Sequence, residues 1–123
     1  MNTEIAGLDI TKGLRRYGNK KDDYLDVLRL FASGVSSMLS EIETFNKEKL
    51  SDYRIRTHGI KGACQDIYAE QTGKEASDLE EAAKAGDIGY ITRHNPAFLV
   101  SIKKLIADIE DMLGNQSKGG LEL

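Results

Sequence analysis

The residue best suited to chemistry in this chain is His58, because a neutral imidazole nitrogen is a nucleophile near neutral pH. If the surrounding segment is helical, Arg54 at i−4 and Lys61 at i+3 lie next to it on one face. A phosphorylated histidine carries anionic oxygens, which such cations would stabilise. The spacing therefore fits phosphoryl transfer through His58, although spacing alone favours an ordinary surface histidine with cationic helical neighbours.

Two glycines, Gly59 and Gly62, follow the histidine, although a glycine inside a helix costs about 1 kcal/mol relative to alanine. Helical winding places Gly62 on the face of His58 and away from the core residues. We therefore interpret Gly62 as a residue that leaves the imidazole accessible to a bulky partner. Gly59 fits either that role or close packing of two helices.

The element that must position these residues is a predicted helix over residues 47–70. One face is expected in the core and comprises Tyr53, Ile60, Ala63, Cys64 and Ile67, and the opposite face comprises Arg54, His58, Lys61, Gly62, Gln65 and Ala69. Cys64 is expected to be a buried thiol rather than a catalytic partner of His58, because the two side chains leave the helix in different directions. Asp66 and Glu70 are interpreted as solvated helix charges.

Apolar residues at steps of three and four predict a second helix over residues 23–44. The apolar stripe comprises Tyr24, Val27, Leu28, Phe31, Val35, Met38, Leu39 and Ile42. We expect Asn19 to cap this helix, and Asp22 and Asp23 to lie near its positive end.

The last predicted helix begins with Asn95 as the capping residue and Pro96 in the first turn, and it ends at Gly114. His94, directly before the cap, is interpreted as a boundary residue and not as a second phosphorylation site. Shorter helices over residues 10–17 and 74–85 bring the total to five.

Five helices joined by short connections predict an all-α, antiparallel up-and-down bundle. The domain is expected to span residues 1–114, followed at 115–123 by a flexible tail or a vector-derived remnant.

Composition excludes several classes of protein. The 17 Lys and Arg residues against 20 Asp and Glu give a net charge of −3, which lacks the basic excess of nucleic-acid-binding proteins. One cysteine and two histidines cannot form an internal disulfide or the usual Cys/His zinc set, so we expect a reducing compartment and no metal site. Apolar runs such as residues 97–100 are far shorter than the roughly 20 residues of a membrane span. Residues 1–4 lack the features of a signal peptide, and we expect a soluble, cytoplasmic protein that contacts no membrane.

Three segments carry a resemblance to a known family. The stretch Thr57–Ala63 resembles the His-x-x-Lys-Gly signature of histidine phosphotransfer (HPt) domains. Residues 7–9 and 13–19, followed by Tyr24, are similar to the opening segment of HPt domains fused to hybrid sensor histidine kinases. Residues 79–87 resemble the family's next helix and its terminating turn.

The resemblance, which covers about residues 5–113, implies a four-helix up-and-down bundle with an additional short N-terminal helix. By position, it implies that His58 is the phosphorylated residue, that Lys61 stabilises the phosphoryl charge and that Gly62 keeps the ring accessible. Domains of this family have no kinase activity of their own, and Mg²⁺ is held by the aspartate-bearing receiver domain. We therefore expect no cofactor on this chain, in agreement with its lack of a Gly-rich nucleotide loop.

The chain departs from the family pattern at three places. Tyr68 stands where family members often have glycine, and Thr72-Gly73 replaces a more apolar start of the following helix. These differences bear on the geometry of the connection after Ala69. Pro96 implies that the last helix starts late or breaks there.

The function that the resemblance implies is that of a phosphorelay intermediate in two-component signalling. A receiver-domain aspartate would donate a phosphoryl group to His58, and a second receiver would take it onward. We expect the docking face to include Arg54, Ile55 and Gln65, with residues of the neighbouring helix from Asp23, although Ile55 fits a core position equally well.

The alternative function is a phosphorylation-independent helical adaptor that binds receiver domains. The combination of His58, Lys61 and Gly62 favours the carrier, because an adaptor would have no need of all three. The chain is expected to be a monomer, either free-standing or a domain of a hybrid sensor histidine kinase, with small, transient interfaces.

Overall fold

The computed structural model describes residues 4–117, with side chains described as far as Gly114. This part of the chain is all-helical and contains no strand, as the sequence predicts. Its helices are α1 (Ile10–Arg16), α2 (Lys21–Leu39), α3 (Leu50–Ile67), α4 (Glu70–Ala85) and α5 (Ile88–Ser117), with a 3-10 turn at Lys47–Lys49 before α3. Within the predicted tail, α5 continues past Gly114 to Ser117, and residues 118–123 lie outside the described residues.

Four of the helices pack around one hydrophobic core. Helix α3 contacts α2 and α4, and α5 also contacts α2 and α4, so the four helices form a closed cycle. Each contributes an apolar stripe to the centre, as amphipathic helices must when they exclude water together. The short α1 lies outside this cycle, against α2 and α3.

Helix α2 confirms the predicted apolar stripe but not its predicted ends. Tyr24, Leu28, Phe31, Val35, Leu39 and Ile42 are buried. The helix ends at Leu39, and the chain continues through a turn that still buries Ile42. Asn19 does not cap α2, because its backbone is left-handed with φ 60° and Lys20 occupies the N-cap position. Asp22 and Asp23 do lie in the first turn, where they complement the helix dipole.

The boundary between α3 and α4 differs from the prediction. Helix α3 ends at Ile67, Tyr68 adopts a left-handed backbone with φ 61°, and α4 begins at Glu70. Ala69, predicted on the outward face, is fully buried at the junction, so that assignment is wrong. Helix α4 therefore starts well before the predicted residue 74, because a single left-handed residue is enough to turn the chain.

The first turns of α4 pack closely on α3. Thr72 and Gly73, which depart from the family pattern, are both buried. A Cβ atom at Gly73 would lie 3.2 Å from the Cβ of Cys64, so the absence of a side chain permits this close approach. Helix α4 ends as predicted, with Gly86 in a left-handed conformation at φ 70°.

Helix α5 begins at Ile88, about two turns before the predicted start at Asn95. The cap is provided by Asp87, whose carboxylate accepts a hydrogen bond from the backbone N–H of Tyr90 at 3.0 Å. Pro96 lies inside α5 and not at its first turn. The prediction of a cap at Asn95 is therefore wrong.

The side chain of Asn95 is buried and forms hydrogen bonds with two other segments of the chain. The Tyr53 hydroxyl donates to Asn95 Oδ1 at 2.7 Å, and Asn95 Nδ2 donates to the carbonyl of Ile42 at 2.8 Å. Asn95 thereby joins α5 to α3 and to the turn that follows α2. His94, next to it, is an exposed residue within α5 whose ring lies 4.2 Å from that of Tyr90.

Candidate functional site

Helix α3 presents His58 on its outward side. The core-facing residues Tyr53, Ile60, Cys64 and Ile67 are buried as predicted, which fixes the rotation of the helix about its axis. Thr57, directly before the histidine, is also buried, and its hydroxyl donates to the carbonyl oxygen of Tyr53 at 3.0 Å. The His58 side chain is 68% exposed.

A buried carboxylate from α4 organises the site. Glu80 Oε2 lies 2.7 Å from His58 Nδ1, and Glu80 Oε1 lies 2.7 Å from Lys61 Nζ. The Lys84 ammonium is 3.7 Å from Oε2. Because the Glu80 side chain is only 4% exposed, its charge depends on these neighbours for stabilisation.

The neighbours of Glu80 determine its protonation state. Burial alone would raise the pKa of this carboxyl, but its contacts with Lys61 and His58 lower it by more, so that the net pKa lies below the ordinary value. Glu80 is therefore ionised at neutral pH.

The ionised carboxylate also fixes the tautomer of His58. A carboxylate can only accept a hydrogen bond, so the hydrogen bond requires the proton on His58 Nδ1. In the neutral ring, Nε2 then carries the lone pair. Carboxylates orient imidazole rings in other sites by the same contact.

Lys61 occupies a more enclosed position than an ordinary surface lysine. Its side chain is 23% exposed and is directed to Glu80. The sequence predicts Lys61 next to His58 on one face of the helix. In the structure, both side chains also contact the same carboxylate, that of Glu80. Lys61 consequently neutralises Glu80 as well as adding positive charge near the ring.

The two glycines of the site have different environments. Apart from its two chain neighbours and the adjacent backbone of α3, a Cβ atom at Gly62 would meet no described atom within 4 Å, so open space adjoins this residue. A Cβ atom at Gly59 would lie 3.3 Å from the sulfur of Met38. Of the two roles left open for Gly59, the structure supports close packing, in this case against α2.

The predicted docking residues Arg54, Ile55 and Gln65 all lie on the exposed side of α3. Ile55 is 55% exposed, so the alternative of a core position is wrong. Among the described residues, Leu30 on α2 and Val100 on α5 are the other large exposed hydrophobic side chains.

A groove of about 580 Å³ opens beside the site, between α1, the end of α3 and the start of α4. It shares Lys61 and Gln65 with the His58 face. Four cationic side chains, one carboxylate and six uncharged residues line it: Lys12, Arg16, Lys61, Lys74, Glu70, Cys64, Gln65, Tyr68, Ala69, Gly73 and Ser77. This region is therefore more positive than the chain as a whole, whose net charge is −3.

The remaining candidate residues have structural partners. Burial raises the pKa of the Cys64 thiol to about 12, so the thiol is protonated and unreactive at neutral pH. Asp66 and Glu70 are exposed, as predicted, and each forms an ion pair with a cation of α1. Arg16 lies 3.4 Å from Asp66, and Lys12 lies 3.2 Å from Glu70.

Glu80 is the site residue that the sequence analysis missed. The segment around it was recognised only as the helix that follows the histidine. A signal was present, however, because Glu80 stands between Ala76 at i−4 and Ala83 at i+3, which are both buried. A carboxylate on an apolar helical stripe is rarely buried unless it is paired.

Comparison of the chain with protein-family models, with curated proteins and with solved structures finds no match. Within residues 4–117, no three or more His, Cys, Asp or Glu side chains are grouped so that they could hold a metal ion. No helix in the described part of the chain combines the length and the apolar character of a membrane span.

Proposed function

We propose that this chain is a phosphorelay intermediate of the HPt type, in which His58 accepts a phosphoryl group from a receiver-domain aspartate and passes it to another receiver. The proposal includes the finer architecture of an antiparallel up-and-down four-helix bundle formed by α2 to α5, with α1 as the additional N-terminal helix. The closed cycle of contacts among these four helices supports it.

The observation that carries the proposal is the environment of the His58 ring. The ring is 68% exposed while its Nδ1 is bound to a buried, ionised carboxylate at 2.7 Å. A histidine with a purely solubilising role needs no such partner, and burying a carboxylate to provide one is costly. The arrangement suits a nucleophile that must be oriented, carry its lone pair on Nε2 and be reachable by a large partner.

The transfer step follows from this geometry. The Nε2 lone pair attacks the phosphorus of an aspartyl phosphate, and the N–P bond forms as the bond from phosphorus to the aspartyl oxygen breaks. The electron pair of the broken bond stays on that oxygen and restores the aspartate carboxylate. The ring keeps its proton on Nδ1 and becomes cationic, and the negative charge of Glu80 stabilises this cation.

The chain supplies the acceptor, and the partner supplies the rest of the catalytic machinery. Lys61 offsets the charge of the phosphoryl oxygens, and Gly62 leaves space beside the ring for the receiver. We propose that the Mg²⁺ required for transfer is held by the receiver and that this chain has no autonomous kinase activity. The exposed Arg54, Ile55 and Gln65 contribute to the docking face.

The test is the intact mass of the protein after incubation with phosphoramidate, a small donor that needs no partner protein. Wild type should gain one phosphoryl group that is lost in acid, as expected for an N–P bond. The His58→Gln variant should gain none. His94→Gln is the matched control, because His94 is the other histidine of the chain and is also exposed, and this variant should be phosphorylated like wild type.

A folded wild-type protein that gains no phosphoryl group from phosphoramidate or from a phosphorylated receiver would overturn the proposal. Binding of that receiver without transfer would then identify the chain as the phosphorylation-independent adaptor. A phosphoryl group that persists in His58→Gln but disappears in His94→Gln would place the acceptor on α5.

A further inference from the structure

Lys84 on α4 has no part in the transfer step described above, although its ammonium lies at the same carboxylate as His58. Among the described residues, Glu80 is contacted by His58, Lys61 and Lys84. We infer that Lys84 is a second phosphoryl-binding cation, held beside Glu80 until His58 is phosphorylated. This inference rests on the proposed function and adds a binding residue to it.

The distances place Lys84 within reach of the ring. Lys84 Nζ is 3.7 Å from Glu80 Oε2, and the same oxygen is 2.7 Å from His58 Nδ1. The ammonium is therefore at most 6.4 Å from Nδ1. A lysine side chain has four methylene groups, so rotations about its bonds can close this distance without moving the helix.

Of the two lysines at Glu80, Lys84 gives up the weaker contacts when it moves to a phosphoryl group. Lys61 is more enclosed and lies 2.7 Å from its carboxylate oxygen, whereas Lys84 is 45% exposed and 3.7 Å from Glu80, which is too long for a hydrogen bond. Its other partner, Glu81, is an exposed residue at 3.3 Å. Exposed pairs of this kind contribute little to stability, so Lys84 can leave them for a stronger anion.

The two lysines approach the ring from opposite sides along the helix axis. His58 meets Glu80, and farther along α3 Cys64 meets Gly73, which precedes Glu80, so the two helices run in opposite directions. Lys61 therefore lies toward the start of α4 and Lys84 toward its end. A phosphoryl group on Nε2 would have one ammonium on each side.

Phosphorylation makes the charge at the site more negative and concentrates the added charge on the phosphoryl oxygens. Before transfer, Lys61 and Lys84 balance Glu80 and Glu81. The phosphoryl group adds about two negative charges and the ring gains one positive charge, so the site becomes more negative by about one charge. A shift of Lys84 from the exposed Glu81 to the phosphoryl oxygens leaves the net charge unchanged, but it places a cation and a charge-assisted hydrogen bond where the negative charge has increased.

The experiment compares phosphorylation by phosphoramidate in Lys84→Gln, Lys84→Arg and wild type, with the intact mass as the measurement. We expect Lys84→Gln to lower the rate of phosphorylation, or to shorten the lifetime of the phosphorylated form, at least about tenfold, since a hydrogen bond to a charged group is lost. Lys84→Arg should restore most of it. The matched control is Lys74→Gln, which removes an exposed lysine of the same helix from an i,i+4 pair with Asp78.

A purely structural effect of Lys84 would appear in the unphosphorylated protein. The ¹⁵N chemical shifts of the His58 ring report its tautomer, and they should be the same in Lys84→Gln and wild type. If wild type is phosphorylated and Lys84→Gln behaves like Lys74→Gln, this inference is wrong and the proposed function stands. If wild type gains no phosphoryl group from either donor, both are wrong.

Discussion

Glu80 orients the His58 ring and sets the charge beside it. Its position could not be predicted from the His-x-x-Lys-Gly spacing, because that spacing describes α3 alone. Which residue of α4 comes to lie opposite His58 depends on the packing of the two helices. The outward orientation of His58 and the burial of Cys64, by contrast, follow from the winding of a single helix, and both predictions are confirmed.

The stability of the protein should depend on pH through Glu80. Because its pKa in the folded state is below the ordinary value of 4.5, the ionised carboxyl stabilises the fold at pH values above 4.5. This contribution is lost as the pH falls through the lower pKa of the folded state. Urea unfolding of wild type between pH 7 and pH 3, followed by circular dichroism, should therefore show a loss of stability in acid.

The variant Glu80→Gln should be less stable than wild type at pH 7 and should lose less stability in acid. Glu81→Gln, which changes the exposed neighbour, is the control and should retain the acid dependence of wild type. Equal acid dependence in Glu80→Gln and wild type would show that other carboxyl groups account for it.

The two glycines at the site should respond differently to alanine. Gly62→Ala places a methyl group in open space and should raise the free energy of unfolding by about 0.5–1 kcal/mol through helix propensity. In Gly59→Ala the methyl group meets the sulfur of Met38 at 3.3 Å, so the gain should be smaller or reversed. Denaturant unfolding of both variants gives the comparison.

Phosphorylation rates with two donors distinguish a role of Gly62 in access to His58 from its effect on stability. If Gly62 leaves space for the receiver, Gly62→Ala should slow transfer from a phosphorylated receiver more than it slows phosphorylation by phosphoramidate. Equal effects on the two donors would contradict the role in access.

At the scale of the elements, the start of α5 shows how a local signal can mislead. Asn followed by Pro is typical of a helix start, and here both residues lie inside a helix that Asp87 caps. The amide of Asn95 is used in tertiary hydrogen bonds, which a local pattern cannot reveal. The stripe of α2 was easier to predict, because burial of one face imposes a period on many residues at once.

The network around Asn95 should contribute strongly to stability. Asn95→Ala leaves the buried Tyr53 hydroxyl and the Ile42 carbonyl without their partner, and we expect a loss of about 2–3 kcal/mol in urea unfolding. In a double-mutant cycle, Tyr53→Phe should cost less in the Asn95→Ala background than in wild type. Additive losses would show that the two groups act independently.

At the scale of the whole molecule, the proposed function implies that exposed side chains near His58 contact the receiver domain. Ile55 lies on α3, one turn before His58, whereas Val100 lies on α5 and is comparably exposed. Ile55→Glu should reduce transfer from a phosphorylated receiver at least about tenfold, because it places a charge in an apolar contact. Phosphorylation by phosphoramidate should not change.

Val100→Glu is the matched control for that experiment, because it also introduces a carboxylate at an exposed hydrophobic position. It should leave both reactions unchanged. A similar loss of receiver transfer in both variants would indicate that added negative charge, and not the location of Ile55, is responsible.

The burial of Cys64 has a consequence for the kinetics of the native state. The thiol lies between α3 and α4, directly across from Gly73, and its pKa is raised to about 12. At pH 8 a thiol reagent can therefore react with it only when the two helices separate. Because this is the single cysteine of the chain, each labelled molecule has undergone such an opening, and the labelling rate reports the separation of α3 and α4. Since the same two helices hold His58 and Glu80 together, the labelling rate also measures how often the site comes apart.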